Sequence, residues 1–346
     1  MIEEFGWSTT RQHEFAPFAA RGLVPARILE QNRGAYIAHI KDGELFCKTN
    51  GTLHFKQTLP LVGDWVALSA HNALIEALLP RTSLLQRPAV SGGGMQGIAA
   101  NLDGVVVVSA MGAEFNPRRV ERLLALAWSS GTTPLLALTK ADITDDPETY
   151  MAQAALCAPG VEIFALSSVT QTGLEALRSQ FSAGRTYGFI GASGVGKSTL
   201  LNALAGDDLA ATGAVSALGA KGRHTTTRRQ LYKLPNGVLI IDMPGMKTLG
   251  LNDGAAQLDT VFPEIDSLRG RCRFHDCHHQ QEPDCAIQAA LAAGDLSPER
   301  WQSYLKLQRE AAFEARKSDK ALYLAEKQKW AALSKKARGF RKPSAL

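Results

Sequence analysis

Between about Val24 and Leu79 the apolar positions come in short bursts: VPARIL, AYIAHI, ELFCK, TLHF, DWVAL and ALIEALL. Turn residues separate them, at Asn32 to Gly34, Asp42-Gly43, Asn50-Gly51 and Gly63-Asp64. Bursts this short at this pitch predict five or six strands in roughly 60 residues, hence a small β-barrel. An OB-type barrel is expected, a form suited to touching RNA. The periodicity sets the β class and leaves open a barrel that only packs. Residues 1–20 carry no strong pattern.

The rhythm then changes. QRPAVSGGGMQGIAAN (86–101) is rich in Pro and Gly and reads as a linker. VVVV (105–108) has the unbroken apolar run of a buried parallel strand. Asn116-Pro117 is a helix start leading into RRVERLLALAWSSG. PLLAL (134–138) is a second buried strand, running into Thr139-Lys140-Ala141-Asp142. EIFALSS (162–168), a helix from about Gly173 to Phe181, and the apolar run Tyr187 to Ile190 follow. Two further strands, RQLYKL and GVLIIDMPG, end at Asp242-Met243-Pro244-Gly245. Such alternation predicts a parallel sheet with helices on both faces, its ligands outside the carboxyl ends of the strands. A last helix starts at Ser297-Pro298, with Trp301, Tyr304, Leu305, Ala311, Ala312 and Ala315 along one apolar face. Three domains are expected: a barrel over 1–85, an α/β domain over 86–258, and a helical, Cys/His-bearing, basic domain over 259–346.

Composition narrows this picture in three ways. A length of 346 residues with 45% apolar and 21% charged positions suits a globular chain of two or three domains. No apolar run approaches the ~20 residues of a membrane span, and MIEEFGWSTT carries acids where a signal peptide carries positive charge, so no membrane partner and a cytoplasmic location are expected. The net charge of +5 hides an asymmetry: residues 301–346 hold 12 Lys/Arg against 4 Asp/Glu, and the rest of the chain 26 against 29. A basic tail of this kind fits contact with a nucleic-acid backbone better than a merely solvated face.

The chemistry centres on YGFIGASGVGKSTLLNALAG (187–206). It matches G-x-x-x-x-G-K-[ST], with a strand before it and a helix after it. Backbone N–H groups along Gly191, Ala192, Ser193, Gly194, Val195, Gly196, Lys197, Ser198 and Thr199 would cradle phosphates at a helix N-terminus. Lys197 would reach the β- and γ-phosphates, and the Ser198 hydroxyl would ligate Mg²⁺. Asp242, at the end of a buried strand, fits the usual Mg²⁺ partner, and Gly245 can offer its N–H to the γ-phosphate. Thr225 or Thr226 would complete the metal shell in a loop ordered by triphosphate and released by diphosphate. The TKAD run selects the base: the Asp142 carboxylate accepts two hydrogen bonds from guanine, which carries N1–H and a 2-amino group, and adenine does not. The Lys140 stem would pack on the base, and Ser167 and Ser168 fall where a purine-contacting loop belongs. GTP and GDP are therefore expected over ATP.

In chain order these motifs run TKAD (139), SS (167), GASGVGKS (191), TT (225–226), DMPG (242). That is the set of a Ras-like GTPase in circularly permuted order. With the N-terminal barrel and the Cys/His tail, the whole chain resembles the ribosome small-subunit-dependent GTPases of the RsgA family. The resemblance implies a Mg²⁺-dependent GTPase acting late in small-subunit maturation, activated by that subunit and binding its rRNA. A monomer is expected. Two residues depart from the Ras-like pattern. Thr139 stands where Asn is usual, which predicts weaker guanine affinity with specificity kept. Met246 stands where Gln orients water, which predicts slow intrinsic hydrolysis. His224 is the nearest catalytic candidate beside Lys197, and the resemblance points to the same residue; the other reading is a His that only flanks a mobile loop. Because DMPG closes the permuted domain, hydrolysis could move the C-terminal domain directly.

RCRFHDCHHQQEPDC supplies Cys272, Cys277 and Cys285 with His275, His278 and His279 close by. Three thiolates and one imidazole suit one closed, structural tetrahedral zinc. The residues leave the imidazole open among the three histidines; the resemblance implies His279. Two other functions stay open on sequence alone: a nucleotide-switched RNA-binding module with incidental hydrolysis, and a P-loop ATPase of RNA metabolism.

Overall fold

A computed structural model describes residues 1–32, 34–55, 58–88, 95–206, 229–243, 258–259, 261–274, 276–280 and 282–318. Strands β1 (Val24–Asn32), β2 (Ala35–Ile40), β3 (Gly43–Thr49), β4 (Trp65–Ser69) and β5 (Leu74–Leu78) pair in the order β1-β2-β3-β5-β4. Pairing of β1 with β4 closes them into a five-stranded barrel. Alternate side chains, among them Ala26, Ile28, Tyr36, Ala38, Val66, Leu68 and Ile75, fill its interior. The TLHF burst is not a strand. Residues Gly51–Phe55 form the short helix α2, because the Asn50 side chain accepts from the Leu53 N–H at 3.0 Å and caps the turn. The unpatterned N-terminus is ordered too, as a 3-10 turn (Ile2–Phe5) and helix α1 (Thr9–Ala19), with Ile2 and Phe15 packed on Trp65 and Leu79.

The stretch read as a linker is largely a hairpin of β6 (Leu84–Pro88) and β7 (Met95–Ala100). Residues 89–94 of this stretch, with three of its glycines, lie outside the described residues. The hairpin's arms carry Leu85, Ile98 and Ala99 into the core of the α/β part. Burial of those arms overrides the composition.

The α/β part is a parallel sheet ordered β10-β9-β8-β11-β13. Its strands are β8 (Gly104–Ala110), β9 (Thr133–Thr139), β10 (Glu162–Ala165), β11 (Thr186–Gly191) and β13 (Leu239–Asp242). Helices α3 (Pro117–Ser129) and α4 (Pro147–Cys157) cover one face, and α5 (Leu174–Arg178) and α6 (Lys197–Ala205) the other. Strand β12 (Gln230–Lys233) runs antiparallel to β13 and pairs on its other side with β1, through Glu30 opposite Gln230. One sheet of eleven strands therefore continues from the α/β part into the barrel.

Side chains lock that joint. Asn101 accepts from the Arg11 guanidinium and the Thr82 N–H, both at 2.9 Å, and donates to the Gly63 carbonyl at 3.0 Å. Arg27 donates to the Asn101 carbonyl at 3.3 Å and to the Thr186 hydroxyl at 3.1 Å, and lies over the Trp65 ring. Its complete burial pulls the guanidinium pKa down to about 10. Gly63 has φ +89°, and a Cβ there would lie 2.2 Å from the Ala100 carbonyl oxygen, so this close approach needs glycine.

The C-terminal part has helices α7 (Pro263–Arg269), α8 (Ala286–Ala293) and α9 (Pro298–Ser318). Phe262, Ile265, Ile287, Trp301, Tyr304 and Leu307 form its core, which seats against Ala125 and Trp128 of α3. Of the face expected on α9, Trp301 and Tyr304 are buried, whereas Ala312 is exposed. The Glu121 carboxylate of α3, 3% exposed, meets Arg300 of α9 at 2.6 Å and accepts from the Ser303 hydroxyl. Arg300 also reaches Glu264 at 2.7 Å and the Val261 carbonyl at 2.6 Å, with its guanidinium on the Phe262 ring. Burial pushes the Glu121 carboxyl up, and Arg300 and Ser303 pull it back. Among the described residues no helix is long and apolar enough to cross a membrane.

Candidate nucleotide site and metal centre

Strands β10, β9, β8, β11 and β13 are parallel neighbours, so the loops leaving their carboxyl ends lie side by side. In that spatial order come Ser167 and Ser168, then Thr139 to Asp142, then residues 111–116, then Gly191 to Gly196, then Asp242 at the end of β13. Residues far apart in the chain are thus gathered along one edge.

In the phosphate loop Gly194 and Gly196 adopt φ of +86° and +88°, and Gly196 is the residue from which α6 springs. Ser193 and Gly194 are exposed, Ala192 and Ser198 half-buried, Val195 buried, and Thr199 exposed. The Lys197 side chain folds back over the loop and donates to the carbonyls of Gly191 at 3.0 Å and Ala192 at 2.8 Å. Burial lowers its pKa while Asp242 opposes that shift. Asp242 is itself 4% exposed, its carboxyl pushed up by burial and pulled down by Lys197. The two charges stabilise each other at the point where phosphates and a divalent ion would enter.

On the base side, the Thr139 hydroxyl lies 2.5 Å from the Val195 carbonyl and 3.2 Å from that of Ser109. It therefore ties the TKAD segment to the phosphate loop, part of the work expected of an Asn. Thr139→Val keeps the shape and leaves a buried carbonyl unpaired, at a cost of about 1–3 kcal/mol. Calorimetric titration is expected to show weaker GDP binding, and unchanged affinity would refute the tether. Lys140 is in the left-handed region at φ +61°, with its ammonium 2.8 Å from Glu114. Asp142 is exposed in the 3-10 turn Ala141–Ile143, free to face a base. Ser167 is buried, and its hydroxyl accepts from the N–H groups of Val169 (3.2 Å) and Thr170 (3.1 Å), so it shapes the loop. Ser168 is half-buried, and its carbonyl accepts from Gln171. His224, Thr225, Thr226, Gly245, Met246, His275 and the chain after residue 318 lie outside the described residues.

Cys272, Cys277, His279 and Cys285 converge with all four ligand atoms within 4.8 Å of one another. Cys272 Sγ lies 3.9 Å from Cys285 Sγ and 3.4 Å from His279 Nδ1, and Cys285 Sγ lies 3.6 Å from the same nitrogen. Zinc bonds of about 2.3 Å to sulfur and 2.0–2.1 Å to nitrogen give tetrahedral edges near those lengths, so the residues fit a zinc ion. His278 is exposed and outside the cluster.

A phosphate loop opening α6, the TKAD run leaving β9 and a buried Asp ending β13, in permuted order, define a circularly permuted P-loop nucleotide-binding protein. A family model described as RsgA GTPase matches residues 78–252. The chain is 38% identical over 356 residues to a Syntrophotalea carbinolica protein named small ribosomal subunit biogenesis GTPase RsgA, covering 99% of this chain and 98% of that one. It is 41% identical over 318 residues to a Lactiplantibacillus plantarum protein, small ribosomal subunit biogenesis GTPase RsgA 2, covering 90% and 89%. The crystal structure of YjeQ from Thermotoga maritima superposes with a TM-score of 0.63 at 26% identity, covering 84% of this chain and 99% of that one. YloQ, described as a circularly permuted GTPase, shares the fold with a TM-score of 0.59 at 23% identity, covering 84% and 95%. This chain belongs to the RsgA GTPase family.

Proposed function

We infer that the protein is a GTP hydrolase acting in biogenesis of the small ribosomal subunit, as its relatives' names state for them. The observation that carries the reading is the gathering of TKAD, the phosphate loop and Asp242 along one sheet edge in permuted order. Asp142 selects guanine, and the loop N–H groups and Lys197 hold the β- and γ-phosphates. Ser198 and Asp242, with Thr225 or Thr226, would hold Mg²⁺, which neutralises charge between the phosphates when bound. Lys197 stabilises the charge that grows on the leaving diphosphate. Met246 cannot orient water, so turnover by the chain alone is slow, and His224 is the residue that positions the nucleophile once the subunit is engaged. The basic tail after residue 301 contacts rRNA, and a structural zinc on Cys272, Cys277, His279 and Cys285 staples the part that presents it. The protein works as a cytoplasmic monomer.

The test is GTP hydrolysis by purified protein alone, with small subunits, and with large subunits. Slow turnover raised strongly by the small subunit only is expected. Equal rates in all three mixtures would remove the subunit from the mechanism, and ADP competing as well as GDP would remove the guanine assignment.

A further inference from the structure

The loop between β8 and α3 belongs to none of the nucleotide motifs, yet it lies between two of them. Ala113, Glu114, Phe115, Asn116 and Arg119 enclose a cavity of about 230 Å³ together with Ser193 and Val195 of the phosphate loop. From the same loop the Glu114 carboxylate reaches across to Lys140 of the TKAD run, 2.8 Å from its ammonium. Lys140 is a residue that needs holding. Its backbone is left-handed, an unfavourable state for a side-chain-bearing residue, which persists only where its surroundings enforce it. On one side the restraint is the Thr139 hydroxyl. Its one proton points at the Val195 and Ser109 carbonyls, on the phosphate-loop side, whereas the Lys140 ammonium is held by Glu114.

We propose that Glu114 is a positioning residue for the guanine nucleotide: by gripping the Lys140 ammonium, it fixes the lysine stem along the base and supplies the anchor that Thr139 lacks. This deepens the guanine-nucleotide reading above and rests on it. The Glu114 carboxylate is bonded to the Lys140 ammonium and acts through it. Both partners are partly exposed, at 33% for Lys140 and 53% for Glu114, so the effect has the size an exposed pair supports.

The experiment follows release of a fluorescent GDP from the full-length wild type, Glu114→Gln, Glu114→Asp, Lys140→Ala and the double variant Glu114→Gln/Lys140→Ala. Release from Glu114→Gln is expected to be about two- to fivefold faster, with Glu114→Asp closer to wild type. In the Lys140→Ala background, Glu114→Gln is expected to add nothing, because the effect passes through the lysine. Unchanged release from Glu114→Gln, or equal acceleration in both backgrounds, overturns the proposal while leaving the guanine reading intact. Wild-type protein that holds a fluorescent ADP as long as GDP overturns the guanine reading, and the proposal with it.

Discussion

Lys197→Ala is expected to lower GTP turnover by about 10²–10³-fold, the loss that follows removal of one preorganised donor aimed at developing charge, roughly 3–4 kcal/mol of barrier. Among the described residues the Lys197 ammonium bonds to the carbonyls of Gly191 and Ala192, acceptors that water can satisfy, so the fold should persist. A second consequence is electrostatic. Asp242 is already pushed up by burial, with Lys197 the cause that lowers it. Without the lysine the folded state grips this proton more tightly still, and more tightly than the unfolded chain does. The folded carboxyl pKa then exceeds the unfolded one by a larger margin, so stability falls as pH rises through that interval, more steeply than in wild type. Single-turnover rates and melting temperature against pH read the two effects separately. Wild-type turnover in the variant would remove Lys197 from the chemistry.

Stripping the metal from Cys272, Cys277, His279 and Cys285 is expected to unfold the C-terminal part while GDP binding survives. Structural zinc supplies about 10–16 kcal/mol in small zinc-dependent folds, far more than the local core can replace. The coupling to that core is direct. Cys285 is 3% exposed and packs with Ile287 and Trp301, and the His279 ring sits edge-on to Trp301 at 5.9 Å. Chelation, or Cys285→Ser, should abolish the near-ultraviolet dichroism of Trp301 and Tyr304, and zinc analysis of the intact protein should give one ion per chain. A metal-free protein with an unchanged melting profile would show that the cluster is not a staple.

What the sequence made legible was local. VVVV and PLLAL announce buried strands, Asn116-Pro117 announces α3, and the phosphate loop is readable because its mechanism needs only neighbouring residues. Errors arose where tertiary context outweighed composition. TLHF has strand-like residues, but the Asn50 cap turns it into a helix; the Pro/Gly stretch has linker chemistry, but Leu85 and Ile98 bury its arms. The Ser167 hydroxyl also braces its own turn, a local bond that the residue pair SS does not reveal. Pairs distant in the chain left almost no trace: Glu114 with Lys140, Arg27 with Thr186, Glu121 with Arg300.

The locked joint between barrel and sheet sets a distance and a direction. Asn101 and Thr186 stand where β8 and β11 begin, and the nucleotide loops stand where those strands end, roughly 20 Å further on at about 3.3 Å per residue. A surface docked on the barrel therefore acts on the site as a handle acts on a blade. The path back runs along β12, which leaves the joint beside Glu30 and pairs with the strand ending at Asp242. Deleting the barrel would not be a clean subtraction. It would remove the Glu30–Gln230 pairing that joins β12 to β1 and leave β12 as the outer strand of the α/β sheet, open to neighbouring molecules.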